Sequence, residues 1–335
     1  MNRRATLLSI GALVLLVPSL LAAVAWGSAP LALSDVLQAV LGTGHDPTVE
    51  RIVWQLRMPR ALMAVLVGGG LSITGVAMQA LVRNPLADPY ILGLSSGASA
   101  GISLFYFGLL PAFLGGLLTL PLVGFLGGLG TIVVVYAIAR SPVGISVPRL
   151  LLAGVAMASL MGAISSFVTF AFPNPNKLQA VLFLILGTLD ASTWRTLLLP
   201  SIVVLVTSGT LWFMRGPLDA LLVGEETAHS LGVSVEPLKR LLLMLSALTT
   251  GVLVAYVGAI GFVGLIVPHA VRSVVGVPHA RLLPASFLCG GLFLLWADLL
   301  ARTVFPSPLP VGIITALCGV PFFLYLIRRG DYRFG

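Results

Sequence analysis

Apolar residues fall in long unbroken runs rather than in alternating or half-buried patterns. Ten runs can be delimited, at 5–26, 61–82, 91–109, 114–138, 149–171, 195–214, 240–257, 259–275, 282–302 and 309–327. Runs of about 18 apolar residues are long enough to cross a bilayer as helices. The strands of a membrane barrel need only roughly 10 residues and alternate in polarity. The pattern therefore predicts an all-α polytopic membrane protein with about ten transmembrane helices, in a single domain over 1–335. The eighth run is short and rich in glycine.

The polar segments between the runs carry their own signals. In SAPLALSDVLQAVLGTGHDPTVERIVWQL, Ser34 is placed to cap a short amphipathic helix with Val36, Leu37, Val40 and Leu41 on one face. In LVRNPLADPYILGLSSGAS (81–99), Asn84-Pro85 and Asp88-Pro89 break the helix and mark a tight turn. Ser95, Ser96, Gly97 and Ser99 then open the third run with small polar groups, suited to a polar passage or to close packing. The stretch LLVGEETAHSLGVSVEPLKR lies in a polar loop over about 215–239 that can form one or two short helices. Such a surface helix, ended by glycine, suits docking into a groove of a partner and equally an ordinary solvated loop.

Composition agrees with the membrane reading. Of the 335 residues, 58% are hydrophobic and 9% charged, with mean hydropathy +1.07, against about 25% charged residues in soluble domains. The net charge of +8 reflects span flanks and lipid headgroups rather than nucleic acid. With a cytoplasmic N-terminus, thirteen basic residues fall inside, including Arg3, Arg4, Arg83, Arg140, Lys239, Arg240, Arg272 and Arg328. Six fall outside: Arg51, Arg57, Arg60, Lys177, Arg195 and Arg302. This asymmetry predicts that both termini are cytoplasmic. Ala23-Val24-Ala25 is a passable signal-cleavage site, but the first run is longer than the roughly 7–15 residues of a signal core. Trp26 closes it as an interfacial anchor would.

Chemistry is sparse. The only lysines, Lys177 and Lys239, do not follow glycine, so the chain lacks a standard phosphate-binding loop for ATP. Asp298 is the only acidic residue within a run and lies near an outer end, which leaves no midplane carboxylate for a proton-coupled carrier. Cys289 and Cys318 read as packing residues, with no disulfide or metal spacing. No catalytic residue, metal site or cofactor is expected. Most intraspan glycines read as close helix contacts. Met63, Met78, Met157 and Met161 could line a path but usually fill gaps in packing. His269, in VPHAVR, reads as an interfacial histidine rather than a haem ligand.

RMPR (57–60), then GxxMQALxRNPLADPxxLGxSxGA, then RLLLAGVA (149–156), GEETAHSLG (224–232), GAIGFVGLIVPHAVR (258–272), ADLLAR (297–302) and LPVGIITALCGVPFF (309–323) follow one another in order. This succession closely resembles the FecCD-type permeases of ABC importers for vitamin B12, ferric siderophores and haem. The resemblance spans nearly the whole chain and says little about cargo.

The resemblance implies ten spans, a homodimer with a translocation pore on its two-fold axis, and alternating access driven by two separate cytoplasmic ATPase subunits that bind ATP and magnesium. It implies a binding protein that delivers cargo at the outer face of the inner membrane. Arg57, Arg60 and Arg302 match the arginines that dock acidic residues of that protein. A guanidinium fork suits a carboxylate; without the resemblance, snorkelling to headgroups explains these arginines equally well. Gly224, Glu225, Glu226, Ala228 and Gly232 match the coupling helix. Asn84 and Ser146 match the cytoplasmic gate, although Val147 and Pro148 are less polar than that position suggests. Few span arginines are available for an anionic catecholate siderophore, which leans toward a corrinoid, while other members carry oxyanions. The rival readings are an ATP-independent secondary transporter or channel, and a sensory or scaffold protein that moves nothing.

Overall fold

The computed structural model describes residues 3–27, 31–44, 46–110, 119–141, 144–172, 174–305 and 307–329. Helices dominate: α1 (Arg3–Ala25), α2 (Leu33–Leu41), α3 (Pro47–Arg51), a π-helical turn (Ile52–Arg57), α4 (Met58–Val82) and a 3-10 turn (Pro89–Leu92) come first. Then follow α5 (Leu94–Tyr106), α6 (Leu120–Ala139), α7 (Val147–Ala171), α8 (Pro175–Leu186) and α9 (Trp194–Phe213). The chain continues with α10 (Arg215–Val223), α11 (Glu225–Ser230), α12 (Val235–Val257), α13 (Val263–Val275), α14 (His279–Thr303) and α15 (Val311–Arg329). Two short strands, β1 (Arg140–Ser141) and β2 (Gly144–Ile145), pair antiparallel between α6 and α7.

Each predicted run holds a helix. Among the described residues, seven helical stretches are long and apolar enough to cross a membrane by themselves. The other three runs hold α5, α13 and α15, of 13, 13 and 19 residues. At about 1.5 Å per residue, the 13-residue helices cover about 20 Å of a hydrocarbon core about 30 Å thick. Non-helical backbone beside them therefore lies at membrane depth, where protein must satisfy its polar groups.

α4 is the central element. Its side chains are buried almost continuously from Val67 to Leu81, because α9, α12, α13 and α14 surround it. Glycine permits the closest of these contacts: a Cβ on Gly68 would fall 2.1 Å from the Gly290 carbonyl oxygen of α14. The outer helices expose large apolar side chains, such as Leu13 and Val17 on α1 and Phe167 and Phe170 on α7. In a bilayer these faces meet lipid or another subunit.

Two polar clusters mark opposite ends of the bundle. Arg60 at the start of α4 bonds Asp298 near the end of α14, and Arg83 just past α4 approaches Glu225. These are called the Arg60 end and the Glu225 end below.

The structure adds one element and corrects one expectation. The segment after α7 contains a further apolar helix, α8, which starts on Pro175 with the Asn174 side chain accepting from Lys177 N at 3.2 Å. Its exit returns to the Arg60 end, where Thr188 N bonds Val257 O at 2.8 Å and Asp190 bonds Arg60. α8 therefore adds no crossing. In α2, Ser34 is not the cap: the cap position is Ala32, without a side-chain bond, and Ser34 Oγ instead donates to Asp35 Oδ1 at 3.2 Å. Its apolar residues also split between two faces. Val36 and Ala39 are buried, while Leu33, Leu37 and Leu41 are exposed in a four-residue stripe.

Candidate functional site

The three candidate docking arginines meet at the Arg60 end, and their guanidinium groups are engaged within the chain. Arg57 lies on the π-helical turn and is buried; its Nη1 donates to Val24 O at 2.8 Å and Ala25 O at 2.6 Å. Arg302 is also buried, and its Nη2 donates to Ala23 O. The last carbonyls of a helix lack intrahelical donors and carry partial negative charge. Two guanidinium groups thus close the C-terminal end of α1. Gly27 packs beside both: a Cβ there would fall 3.1 Å from Arg302 Nη1 and 3.1 Å from Arg57 Nη2.

Arg60 faces the other way. Its Nε lies 3.0 Å from each Asp298 carboxylate oxygen and its Nη2 lies 2.7 Å from Oδ1, a bidentate arrangement. Asp298 is only 1% exposed and also has Arg302 Nε 3.3 Å from Oδ2. Arg60 Nη1 reaches a second carboxylate, Asp190, which is half-exposed and also accepts from Thr188 Oγ1 at 2.8 Å. Among these groups three cations face two carboxylates, so the cluster keeps a positive excess. Of the three arginines, Arg60 has the most exposed side chain, at 18%.

An aromatic clasp flanks this cluster. The rings of Trp54 and Trp194 stack with centroids 6.3 Å apart. Trp194 Nε1 donates to Trp54 O at 2.7 Å, and Trp54 Nε1 donates to Ala39 O at 3.0 Å. The clasp joins α2, the π-helical turn and α9.

At the Glu225 end, the candidate coupling residues fold into two short helices. Gly224 (φ 148°) separates α10 from α11, and Gly232 (φ 83°) follows α11. L side chains rarely adopt such φ values, so the glycines set both corners. Ala228 is buried, fixing α11 on the bundle, while Glu226, His229 and Leu231 are exposed. α10 is tied to the start of α14, where Asp219 Oδ1 accepts from His279 N at 2.9 Å and meets its Nδ1 at 2.6 Å.

Lys239, by sequence only one of the basic residues flanking a span, joins these elements. The side chain is 2% exposed; Nζ lies 2.6 Å from Glu225 Oε2 and 3.2 Å from Glu236 Oε1. Glu236 Oε2 accepts from Ile145 N at 3.2 Å, the residue before Ser146. Arg83 Nη2 lies 4.0 Å from Glu225 Oε1, next to Asn84. Lys239 thus links α11 to the segment before Ser146, and Glu225 reaches Arg83 beside Asn84. Asn84 Oδ1 itself accepts from Leu86 N at 2.9 Å and shapes the turn. Ser146 occupies the cap position of α7 without a side-chain capping bond.

The remaining candidates fall in packing roles. Met63 and Met78 are buried in the core. His269 lies edge-on to Phe322, with centroids 6.1 Å apart. Cys289 and Cys318 are free thiols. No group of three His, Cys, Asp or Glu able to hold a metal occurs among the described residues.

Comparison with known proteins agrees with this architecture. The profile of the FecCD transport family matches residues 14–329. The cobalamin import system permease protein BtuC of Halobacterium salinarum is 42% identical over 309 residues, covering 90% of this chain and 80% of that protein. The hemin transport system permease protein HmuU of Yersinia pestis is 41% identical over 315 residues, covering 92% of this chain and 93% of that one. A solved inward-facing ABC transporter, assigned to the metal-chelate type, superposes with TM-score 0.82 at 31% identity, over 97% of this chain and 99% of that chain. The chain belongs to the FecCD transport family and is a multi-pass permease subunit of an ABC importer, whose ATPase is a separate subunit.

Proposed function

We propose that residues 1–335 act as one permease domain that pairs with a second copy and imports a metal chelate of the corrinoid, haem or ferric siderophore class. The observation that carries this reading is the similarity, above 40% identity across at least 90% of the chain, to permeases named for cobalamin and for hemin. In this reading the Glu225 end is cytoplasmic, as are both termini of the chain in the inner membrane, and the basic-residue asymmetry supports that orientation. A binding protein delivers cargo at the Arg60 end. Two ATPase subunits grip the α10–α11 helices, where Glu226 and Leu231 are exposed.

Coupling follows from the Lys239 linkage. When the ATPases close, α11 moves and pulls Glu225. Glu225 bears directly on Arg83 beside Asn84, and Lys239 carries the displacement to Glu236 and the Ile145–Ser146 segment, so the gate segments shift with the coupling helix. Asn84 and Ser146 narrow the cytoplasmic mouth. Arg57 and Arg302 hold the docking platform rigid on α1, and Arg60 offers its guanidinium to an acidic residue of the binding protein.

Reconstitution in liposomes with the cognate ATPase and binding protein tests this reading. Cobalamin, haem and a ferric siderophore are supplied in parallel, with and without internal ATP. ATP-dependent accumulation of one cargo is expected. Accumulation without ATP would favour a secondary transporter. ATP hydrolysis with none of the three accumulated would remove the metal-chelate assignment.

A further inference from the structure

The apolar outer surface of α6 and α12 is not featureless. A cavity of ≈480 Å³ opens between them, and a second of ≈300 Å³ continues it toward α9. Phe125 and Leu248 line both, so the two form one groove. The groove runs from Arg240 to Tyr256 along α12, a rise of about 24 Å. Half of a hydrocarbon core about 30 Å thick is shorter than that, so the groove can hold an acyl chain through one leaflet.

Charged residues line it at one mouth only. There, at the Glu225 end, Arg240 and Tyr136 line the first cavity. Arg140 follows Tyr136 by one helical turn, its N–H bonded to Tyr136 O, and its side chain is exposed. Among the described residues, no ion pair involves Arg140 or Arg240. Glu236, one turn before Arg240, is engaged by Lys239 and Ile145 N. The mouth thus carries Arg240, with the exposed Arg140 one turn beyond Tyr136, and no carboxylate lines it.

We infer that this groove is a binding site for an anionic phospholipid, with an acyl chain between α6 and α12 and the phosphate on Arg240 and Arg140. A second cavity on the apolar outer surface serves as a comparison. Between α1 and α14, a cavity of ≈500 Å³ is lined by Ser19, Trp296 and apolar residues, with no charge. It should accept a lipid chain without headgroup preference.

The test is native mass spectrometry of the detergent-purified full chain titrated with dioleoyl phosphatidylglycerol or dioleoyl phosphatidylcholine. Each arginine near the surface favours an anionic lipid by about five-fold, so phosphatidylglycerol should bind at least about five-fold more tightly. Arg240→Gln should cut that preference about five-fold and leave phosphatidylcholine binding unchanged. Met244→Trp, which fills the groove, should weaken both lipids. Equal affinity for the two lipids, or an unchanged preference in Arg240→Gln, would overturn the inference. So would displacement of phosphatidylglycerol by millimolar inorganic phosphate, which would mark a free-anion site.

Discussion

Lys239 Nζ sits 2.6 Å from Glu225 Oε2, and the ammonium is almost wholly buried while the carboxylate is about one-third exposed. The cation is therefore the buried partner, and the α11 carboxylate is the one that solvent reaches. Lys239→Met removes the charge and keeps the aliphatic bulk, stranding Glu225 and Glu236. The expected cost is about 1–3 kcal/mol of stability, read as a lowered Tm. A holding role alone would leave the ratio of cargo imported to ATP hydrolysed intact. A coupling role predicts that the ratio falls, with Lys239→Arg restoring part of it.

Arg60 bonds two carboxylates of different exposure, and this separates docking from stability. Arg60→Gln should weaken capture of the binding protein and lower Tm, because Asp298 is buried beside it. Asp190→Asn removes a competing, half-exposed carboxylate. If Arg60 receives an acidic residue of the partner, Asp190→Asn should strengthen capture, measured by surface binding to the permease in nanodiscs. Weaker capture in both variants would reduce the cluster to a structural brace.

Asp88 gives a capping test. Its Oδ1 accepts from Tyr90 N at 2.8 Å and opens the 3-10 turn that leads into α5. Asp88→Ala removes that acceptor and should cost about 0.5–2 kcal/mol, read as a lowered Tm in detergent, whereas Asp88→Asn keeps a capping acceptor and should lose less. Equal Tm for the native chain and Asp88→Ala would remove the capping role.

Two glycines on different helices should respond oppositely to alanine. Gly68→Ala places a methyl against the backbone of Gly290, which cannot rotate away, and overpacking of this kind costs about 1–3 kcal/mol. Gly11, on α1, has nothing within 4 Å of an added Cβ, and alanine there gains up to about 1 kcal/mol of helix propensity. Their Tm shifts should have opposite signs.

The spanning runs were legible because lipid demands long apolar segments whatever packs against them. α8 was not, because its 12 residues are too short to announce a span. The arginine cluster was half legible. Arg57, Arg60 and Arg302 could be singled out, but Asp190 lies 130 residues from Arg60 in sequence and carries no local mark. Lys239 was counted as an orientation charge, since a basic residue at the foot of an apolar run looks the same whether it faces headgroups or two carboxylates. Its three-residue spacing from Glu236 was the one available hint.

The π-helical turn before α4 sets a phase. An α-helix advances about 100° per residue, and a wide turn holds one residue more than the regular ladder needs. Ile52–Arg57 therefore rotates what precedes it, α3 and the start of the turn included, relative to Arg60. Deleting one residue from this turn would restore regular winding and swing α3 and α2 by about 100° about the axis of α4. The stack of Trp54 on Trp194 and the bond from Trp54 to Ala39 O could not then be satisfied together. The extra residue acts as an angular offset between α4 and the polar segment ahead of it.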